Sequence, residues 1–446
     1  MRKKRSASTL LLFLLALCLP AQGAFAEQVL KVLDAFPQSD DRRGIWRADG
    51  RDYLANAQTV FAGQVSPKVG NLVAIDFVEQ EGKAVARAIQ VLPYGPEVFD
   101  DGPYVFWKDD ATAIIRSHID GTVVETVREE ITGPTTIATP HPNVPTILLD
   151  PVAPSSPGAR WDMPSKLMVI SDLEGNFKAF TDFLRGNGII DTDGHWSWGD
   201  GRLVLVGDMV DRGSEVTELL WMIRRLEREA ALAGGGVHYI LGNHEAMVLA
   251  GDLRYIHPKY VYTSDALGQE YQVLFGPDTE LGRWLRSRNT IERIGNIMFV
   301  HAGYSPQLEE LELEPGDINA RIRASLGPPA WPQRDQLGPH LAWHQHGPMW
   351  YRGYFRKYAE SWDGFPSDEV IDATLARNGV EHIAVGHTVV PDIGWLDASR
   401  RLLGIDVKWS EPGEAEGLLV VDGAFFRVDT AGNRSQLEVV QNATQE

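Results

Sequence analysis

The chain has 446 residues, of which 43% are hydrophobic and 23% charged, so its composition is that of a globular protein with more than one folded unit. The formal net charge of -19 at pH 7 disfavours nucleic acid and anionic membrane surfaces as partners. Beyond the first residues no apolar run reaches about 18 residues, and we therefore expect no membrane span.

Residues 1–26 have the pattern of a cleaved secretory signal. They combine a cationic start, a short apolar core and small residues at the cleavage position, in residues 1–5, 10–19 and 24–26. We expect the mature chain to begin at Glu27 and the protein to be periplasmic or secreted. The single cysteine, Cys18, lies within this segment, so no disulfide is expected in the mature chain. Lipidation of Cys18 is disfavoured because the bulky Leu17 precedes it.

Residues 27–95 are predicted to form a small β-rich region of unknown role. Its β-prone runs are Val60–Val65, Asn71–Val78 and Ala84–Leu92. The last two runs are joined by a turn and resemble the closing hairpin of an oligonucleotide-binding barrel. The acidic charge and the lack of an aromatic platform argue against nucleic-acid binding, so we expect a structural or docking role.

Residues 96–165 are predicted to be a second β-rich stretch that leads into an extended connection. Seven prolines between residues 134 and 157 indicate that this connection is poorly regular. The main unit is expected to span residues 166–435, followed by a frayed tail at residues 436–446. Within it, the proline-rich insertion Leu308–Gln345 is expected to be loop-like.

The main unit contains five apolar runs that are typical of buried strands. They are Leu167–Ile170, Leu203–Val206, Val237–Leu241, Ile297–Val300 and Ile383–Val385. Apolar residues recur at helical spacing from Val216 to Leu226, which predicts an amphipathic helix between the second and third strands. The alternation of strands and helices indicates an α/β fold with a largely parallel sheet.

Each of the five strands is followed directly by polar residues that bind metals or phosphate. The segments are Ser171–Asn176, Gly207–Gly213, Gly242–Glu245, His301–Gly303 and Gly386–Thr388. Because ligands bind at the carboxyl ends of strands in such folds, we expect these segments to meet at one site. Carboxylate, amide and imidazole donors together are typical of a two-metal hydrolytic centre, in which Asp208 is our candidate for the shared ligand.

The chain contains, in this order, Gly-Asp-x-Val-Asp-Arg-Gly, Gly-Asn-His-Glu, His-Ala-Gly and Gly-His-Thr. These four segments resemble the motifs of calcineurin-like metallophosphoesterases, in the phosphoprotein phosphatase branch. Asp101–Phe106 and Gly347–Gly353 further resemble segments of the Shewanella-like protein phosphatases. The resemblance implies a four-layer α/β/β/α sandwich. It also implies a dimetal phosphatase that hydrolyses phosphomonoesters, including phosphoserine, phosphothreonine or phosphotyrosine in proteins, or small phosphorylated molecules.

Carried over position by position, the resemblance implies two overlapping metal sites. The first would be formed by Asp172, Glu174 and Asp208. The second would be formed by Asp208, Asn243, His301 and His387.

The resemblance also implies the roles of the remaining site residues. A metal-bound hydroxide would attack phosphorus in line, without a phosphoenzyme. Arg212, Asn243 and Arg352 would bind the phosphoryl oxygens. His244, oriented by Asp211, would protonate the leaving oxygen.

The first motif departs from the family pattern, because Asp172-Leu173-Glu174 stands where Asp-x-His is usual. The extra carboxylate favours a hard ion, so we expect manganese first, with iron, zinc, magnesium or calcium as alternatives. The added negative charge should make a bound water less acidic. We therefore expect weaker or manganese-dependent activity. The alternatives are a hydrolase of nucleotides or diadenosine polyphosphates and a catalytically impaired protein that binds metal or phosphate.

Overall fold

The computed structural model describes residues 27–440, apart from residues 40, 63–65, 93–94, 96–99, 329–330, 333–334 and 411–412. The predicted signal peptide, residues 1–26, lies outside the described residues, as do residues 441–446. Among the helices that are described, none is both long and apolar enough to cross a bilayer.

Residues 27–91 form a closed five-stranded barrel with a core of its own. Its strands are β1 (Glu27–Ala35), β2 (Gly44–Ala48), β3 (Arg51–Ala62), β4 (Leu72–Gln80) and β5 (Lys83–Val91). β1 pairs with β4 to close the barrel, and β3 runs parallel to β5. Trp46, Tyr53 and Phe77 fill its interior. Five-stranded barrels of this kind include the oligonucleotide-binding folds, but the architecture does not define a ligand.

Two six-stranded sheets form the centre of the remaining chain. The first sheet has the order β14-β13-β12-β20-β21-β22, with β12 (Lys166–Ile170), β13 (Arg202–Val206), β14 (Gly236–Ile240), β20 (Glu416–Val421), β21 (Ala424–Asp429) and β22 (Arg434–Gln436). The second has the order β11-β15-β16-β17-β19-β18, with β11 (Arg160–Trp161), β15 (Ile291–Ile294), β16 (Ile297–Val300), β17 (His382–Val385), β18 (Gly394–Trp395) and β19 (Leu402–Gly404).

Helices cover the sheets and complete the predicted four-layer fold, which is confirmed. They are α1 (Phe177–Gly186), α2 (Val216–Leu232), α3 (Asn243–Ala250), α4 (Pro258–Leu267), α5 (Tyr271–Leu274), α6 (Glu280–Ser287), α7 (Pro306–Glu309), α8 (Pro315–Ser325), α9 (Arg356–Ala359) and α10 (Asp368–Asn378). α2 packs against β14 of the first sheet, and α8 packs against β15 of the second. α2 buries the apolar stripe from which it was predicted, which anchors it to the sheet.

Parallel pairing brings the polar segments to a common edge. β12, β13 and β14 are parallel neighbours, so the residues that follow them emerge at the same end of the first sheet. β16 and β17 are parallel neighbours in the second sheet. All five predicted strands are therefore present, and each ends within one residue of the predicted position.

The segment before the predicted boundary at residue 166 packs against the main unit. This segment forms a three-stranded sheet and a hairpin, with β6 (Asp101–Trp107), β7 (Ala113–Ile119), β8 (Thr122–Arg128), β9 (Thr135–Ala138) and β10 (Thr146–Leu149). β11 then pairs with β15 inside the second sheet. Ile131, Val144 and Leu149 join the core of the main unit, because these small sheets cannot bury their apolar residues alone.

The structure differs from two expectations. The insertion Leu308–Gln345 contains the eleven-residue helix α8, since Pro315 occupies a first-turn position where proline is compatible with a helix. The tail expected to fray from residue 436 is ordered as far as Val440. Val440 N donates a hydrogen bond to Trp395 O at 2.8 Å, and the Val440 side chain is buried.

Candidate metal centre

The loops after five central strands meet around one cavity of about 410 Å³. The loops after β12, β13 and β14 supply Asp172, Asp208 and Asn243. The loops after β16 and β17 supply His301 and His387. Both sheets thus contribute to the site, and within each sheet parallel pairing places the contributing loops at one end.

Three of these residues adopt a left-handed backbone conformation directly after their strands. The φ angle is 53° at Asp172, 57° at Asp208 and 63° at His387. Residues other than glycine rarely adopt this conformation, and it concentrates at functional sites where surrounding contacts compensate for the strain. The strained turns are therefore consistent with a site whose side-chain positions are tightly specified.

Asp208, His301 and His387 form a group at the cavity, with one potential ligand atom of each within 4.8 Å of the others. His301 Nε2 lies 3.2 Å from Asp208 Oδ2 and 3.0 Å from Asn243 Oδ1. The four residues predicted for the second metal site are therefore brought together.

The orientation of His301 is fixed by its other ring nitrogen. His301 Nδ1 donates a hydrogen bond to Val206 O at 2.8 Å, since a carbonyl oxygen can only accept. Nε2 is therefore directed towards the carboxylates, as in metal-binding histidines whose second nitrogen is held by an acceptor. Burial alone would lower the pKa of His301, but the Asp208 and Asp172 carboxylates outweigh it and raise the pKa to about 10.

Asp172 is buried beside this group and is held by two donors. Its Oδ2 accepts hydrogen bonds from the Ser171 hydroxyl and, at 3.0 Å, from His387 N. Burial raises the pKa of Asp172 to about 6; His301 lowers it and the neighbouring Asp208 carboxylate raises it. Such crowding of carboxylates is costly without cations nearby, so the donor set fits divalent metal ions.

Glu174 lines the same cavity but is directed differently from the other predicted ligands. Its carboxylate forms an ion pair with the guanidinium of Arg212. Of the three residues predicted for the first metal site, Asp172 and Asp208 lie together, whereas the Glu174 carboxylate contacts the predicted phosphate clamp.

His244 and Asp211 form a buried pair at the edge of the metal group. His244 Nδ1 lies 2.6 Å from Asp211 Oδ2, and His244 Nε2 lies 3.8 Å from Asp208 Oδ2. Burial lowers the pKa of His244, but Asp208 and Asp211 outweigh it, so the pKa is raised above its ordinary value. The pair has the geometry of a general acid held by a carboxylate.

Two arginines and several aromatic rings line the mouth of the cavity. Arg352 Nη1 donates hydrogen bonds of 2.8 Å to His387 O and to Thr388 Oγ1. The Arg212 guanidinium lies 5.4 Å from the ring centroid of Tyr255. The other aromatic lining residues are Trp350, Tyr358 and Trp362.

Glu245, the last residue of the Gly-Asn-His-Glu motif, has a structural role that its sequence motif does not reveal. Its carboxylate accepts hydrogen bonds from Asp208 N at 3.0 Å, Met209 N at 2.8 Å and Gly242 N at 2.7 Å. It also accepts one from Tyr239 OH at 2.9 Å. Glu245 therefore ties the second and third motifs together. Its position three residues after Gly242, at the start of α3, is the sequence signal for such a capping carboxylate.

Asp406 is a cavity residue that the sequence analysis missed. It is buried, and burial raises its pKa well above the ordinary value, assisted by the negative charge of Asp172. Leu402–Val407 is a mostly apolar run that by its sequence is typical of one continuous strand. Because β19 ends at Gly404, Asp406 instead follows a strand end, as the other polar segments do.

Comparisons with known proteins agree with this geometry. Residues 165–391 match the sequence profile of the calcineurin-like phosphoesterases. The crystal structure of a cold-active protein tyrosine phosphatase from a psychrophilic Shewanella species superimposes with a TM-score of 0.70 at 31% identity. That match covers 76% of this chain and 100% of the Shewanella chain.

Two curated sequences illustrate the range of relatives. Shewanella-like protein phosphatase 2 of Arabidopsis thaliana is 26% identical, over 58% of this chain and 75% of its own length. A symmetrical bis(5'-nucleosyl)-tetraphosphatase of Methylococcus capsulatus is 33% identical, but over only 29% of this chain and 47% of its own length. The similarity to phosphatases therefore extends over much more of the chain.

Proposed function

The chain belongs to the calcineurin-like phosphoesterase family and is a metal-dependent phosphatase, and we propose that it hydrolyses phosphomonoesters on proteins or small molecules. The observation that carries this proposal is the convergence of His301 Nε2 with Asp208 and Asn243 beside the His244–Asp211 pair. Metal ligands and a general acid thus share one cavity, which is the minimum that such hydrolysis requires.

A dimetal centre is characteristic of this family. Divalent cations, when bound, supply Lewis acidity that lowers the pKa of a water and neutralises charge on phosphoryl oxygens. We assign Asp208 as the shared ligand, which is supported by its contact with His301 and by its electrostatic interaction with Asp172. Manganese is the ion that we propose, because two or three carboxylates with imidazoles favour a harder ion than zinc.

His244 is proposed to donate the proton that the leaving oxygen requires. Its Nδ1 is held by Asp211, so Nε2 is the nitrogen that remains free to face the cavity. Burial lowers the pKa of His244, but Asp208 and Asp211 outweigh it and raise the pKa, which favours the protonated imidazole, the state in which it can act as an acid. Asp211 in turn compensates the positive charge and fixes the ring.

Arg212 and Arg352 are proposed to hold the phosphoryl oxygens. Their guanidinium groups enter the same cavity and can each offer two parallel donors to a phosphate. The aromatic lining favours a flat substituent beside the phosphate, because rings pack against Tyr255, Trp350 and Tyr358. Phosphotyrosine is therefore the protein substrate that we favour over phosphoserine and phosphothreonine.

We also propose that the enzyme acts in the periplasm or after secretion. The support is the cationic and apolar pattern of residues 1–26, which is typical of a cleaved leader. N-terminal sequencing of protein recovered from the extracytoplasmic fraction should give a chain that starts at Glu27. Recovery of an uncleaved chain from the cytoplasm would contradict this proposal.

The substrate class can be tested with manganese-loaded protein and four compounds: p-nitrophenyl phosphate, a phosphotyrosine peptide, a phosphoserine peptide and diadenosine tetraphosphate. We expect hydrolysis of p-nitrophenyl phosphate and of the phosphotyrosine peptide. Cleavage of diadenosine tetraphosphate alone would instead identify the chain as a nucleotide hydrolase. Bound metal without turnover of any compound would identify it as a binding protein.

A further inference from the structure

A buried ionic cluster lies next to the loop that carries Arg212. Its centre is Lys259, at the start of α4, whose side chain is only 5% exposed. Lys259 Nζ lies 3.5 Å from Asp101 Oδ1 and 3.4 Å from Glu218 Oε1. Asp101 is fully buried on β6 and precedes residues 165–391, the part of the chain that matches the family.

Three members of this cluster also have the composition of a metal site. Ligand atoms of Asp101, His141 and Glu218 lie within 4.8 Å of one another. The Lys259 ammonium already supplies a positive charge to both carboxylates, and it would repel a second cation. His141 is also committed, because its Nε2 donates to Gly102 O at 2.5 Å. The cluster is therefore a closed network of ions and hydrogen bonds.

Lys259 and its neighbour Tyr260 contact the Arg212 loop at the backbone oxygen of Ser214. Ser214 O accepts a hydrogen bond of 3.0 Å from Lys259 Nζ and another of 3.0 Å from Tyr260 OH. Tyr260 OH in turn accepts a hydrogen bond of 2.6 Å from Val216 N. Two neighbouring residues of α4 thus hold both ends of the segment that follows Arg212.

The loop needs such external anchors because its own backbone is strained. The φ angle is 72° at Asp211 and 55° at Arg212, values that residues with side chains rarely adopt. Such conformations persist only where surrounding contacts specify them. Arg212 N donates to Tyr255 O at 2.8 Å upstream of α4, so the anchors at Ser214 secure the other side of the same turn.

We propose that Lys259 and Tyr260 are positioning residues for Arg212, and that Asp101 on β6 holds Lys259 in place for this task. The inference rests on the proposed function, in which Arg212 binds the phosphoryl group. It assigns to β6, a strand that precedes residues 165–391, a share in forming the phosphate clamp.

The first test compares Tyr260→Phe with Tyr104→Phe. Both remove one hydroxyl from a buried tyrosine of the same cluster, but the Tyr104 hydroxyl contacts Asp101 and Thr217 rather than Ser214. Calorimetric titration of the manganese-loaded protein with inorganic phosphate gives the affinity without requiring turnover. We expect Tyr260→Phe to weaken phosphate binding on the order of tenfold, because even a small displacement of the Arg212 guanidinium is costly. The metal content should be unchanged. Tyr104→Phe should weaken phosphate binding much less, because the Tyr104 hydroxyl reaches the loop only indirectly, through Asp101 and Thr217.

A second pair of variants tests the Lys259 ammonium group itself, and the tyrosine pair keeps the test decisive if Lys259→Met does not fold. Lys259→Met should weaken phosphate binding and raise the KM for p-nitrophenyl phosphate more than it lowers kcat, and Lys259→Arg should restore part of both. Equal thermal destabilisation by Tyr260→Phe and Tyr104→Phe, with wild-type phosphate affinity in both, would overturn the positioning role. Failure of the wild-type protein to hydrolyse any phosphomonoester would instead reject the proposed function, while phosphate titration still tests the anchors.

Discussion

The Glu174 carboxylate is ion-paired with the Arg212 guanidinium, at the sequence position where the calcineurin-like pattern has a histidine. The side chains are 24% and 47% exposed, so the pair lies where water weakens it. Partly exposed pairs contribute only about 0–1 kcal/mol, and a cation or a phosphate can therefore separate the two groups. If Glu174 binds a metal ion and Arg212 binds phosphate, as we propose, this pair connects the two events.

The first prediction is that the two metal ions bind with unequal affinity. Asp208, His301 and His387 are already assembled, whereas Glu174 must leave Arg212 before it can contact an ion. Titration of the metal-free protein with manganese should therefore show a tighter and a weaker site. Glu174→His should strengthen the weaker site, because it restores a neutral donor that does not pair with Arg212. Glu174→Gln should weaken that site alone.

The outcome that would contradict this prediction is specific to Glu174. If Glu174→Gln retains both ions with wild-type affinities, Glu174 is not a ligand and the first metal site must be completed by other residues. Elemental analysis after gel filtration measures the retained ions independently of activity. Glu360→Gln, at an exposed position, serves as the control for loss of one carboxylate.

The second prediction concerns the pH dependence of kcat. A general acid acts only while protonated, so activity should fall as the pH rises through the pKa of His244, which lies above its ordinary value. Burial lowers this pKa, and Asp208 and Asp211 raise it; cations bound at Asp208 leave Asp211 as the main remaining cause. Asp211→Asn should therefore move the fall in activity to lower pH. An unchanged pH profile would show that Asp211 does not raise the pKa of the general acid.

The third prediction is that lysine cannot replace Arg352. Arg352 Nη1 is held by His387 O and Thr388 Oγ1, which leaves other donors of the fork for a phosphate. Arg352→Lys removes this bidentate geometry, and the KM for p-nitrophenyl phosphate should rise by about tenfold. Arg356→Lys, an exposed residue nearby in sequence, should leave the KM unchanged. Equal KM values for both variants would exclude Arg352 from the clamp.

The fourth prediction concerns stability. Glu245→Ala leaves three backbone donors and the Tyr239 hydroxyl without their acceptor in a buried region. Because unsatisfied buried donors are costly, the free energy of unfolding in urea should fall by at least about 3 kcal/mol. Metal affinity should fall with it, since the Asp208 backbone loses its support. One ordinary hydrogen bond contributes about 1 kcal/mol. A decrease in the free energy of unfolding below this value would show that the contacts of Glu245 are not cooperative.

The sequence predicted the strands of the site well because buried parallel strands have a clear signature. Uninterrupted apolar runs such as Leu203–Val206 end abruptly in polar residues, and parallel pairing then places those residues at one edge. This pattern predicts the positions of Asp172, Asp208 and His387.

Other features depend on long-range packing that no local pattern contains. Asp406 lies in an apolar run, so only the end of β19 at Gly404 separates it from the strand. The Glu174 carboxylate can contact either Arg212 or the group of predicted metal ligands. Which of the two it contacts depends on the orientation of its side chain, which the sequence does not specify. Asp101 reaches Lys259 across more than 150 residues, a contact that neither segment indicates by itself.

The most direct test of the dimetal centre is anomalous diffraction from crystals grown with manganese. We expect two peaks about 3.5–4 Å apart, with the Asp208 carboxylate between them and His301 and His387 beside one of them. A single peak, or two peaks without Asp208 as a common ligand, would contradict the account.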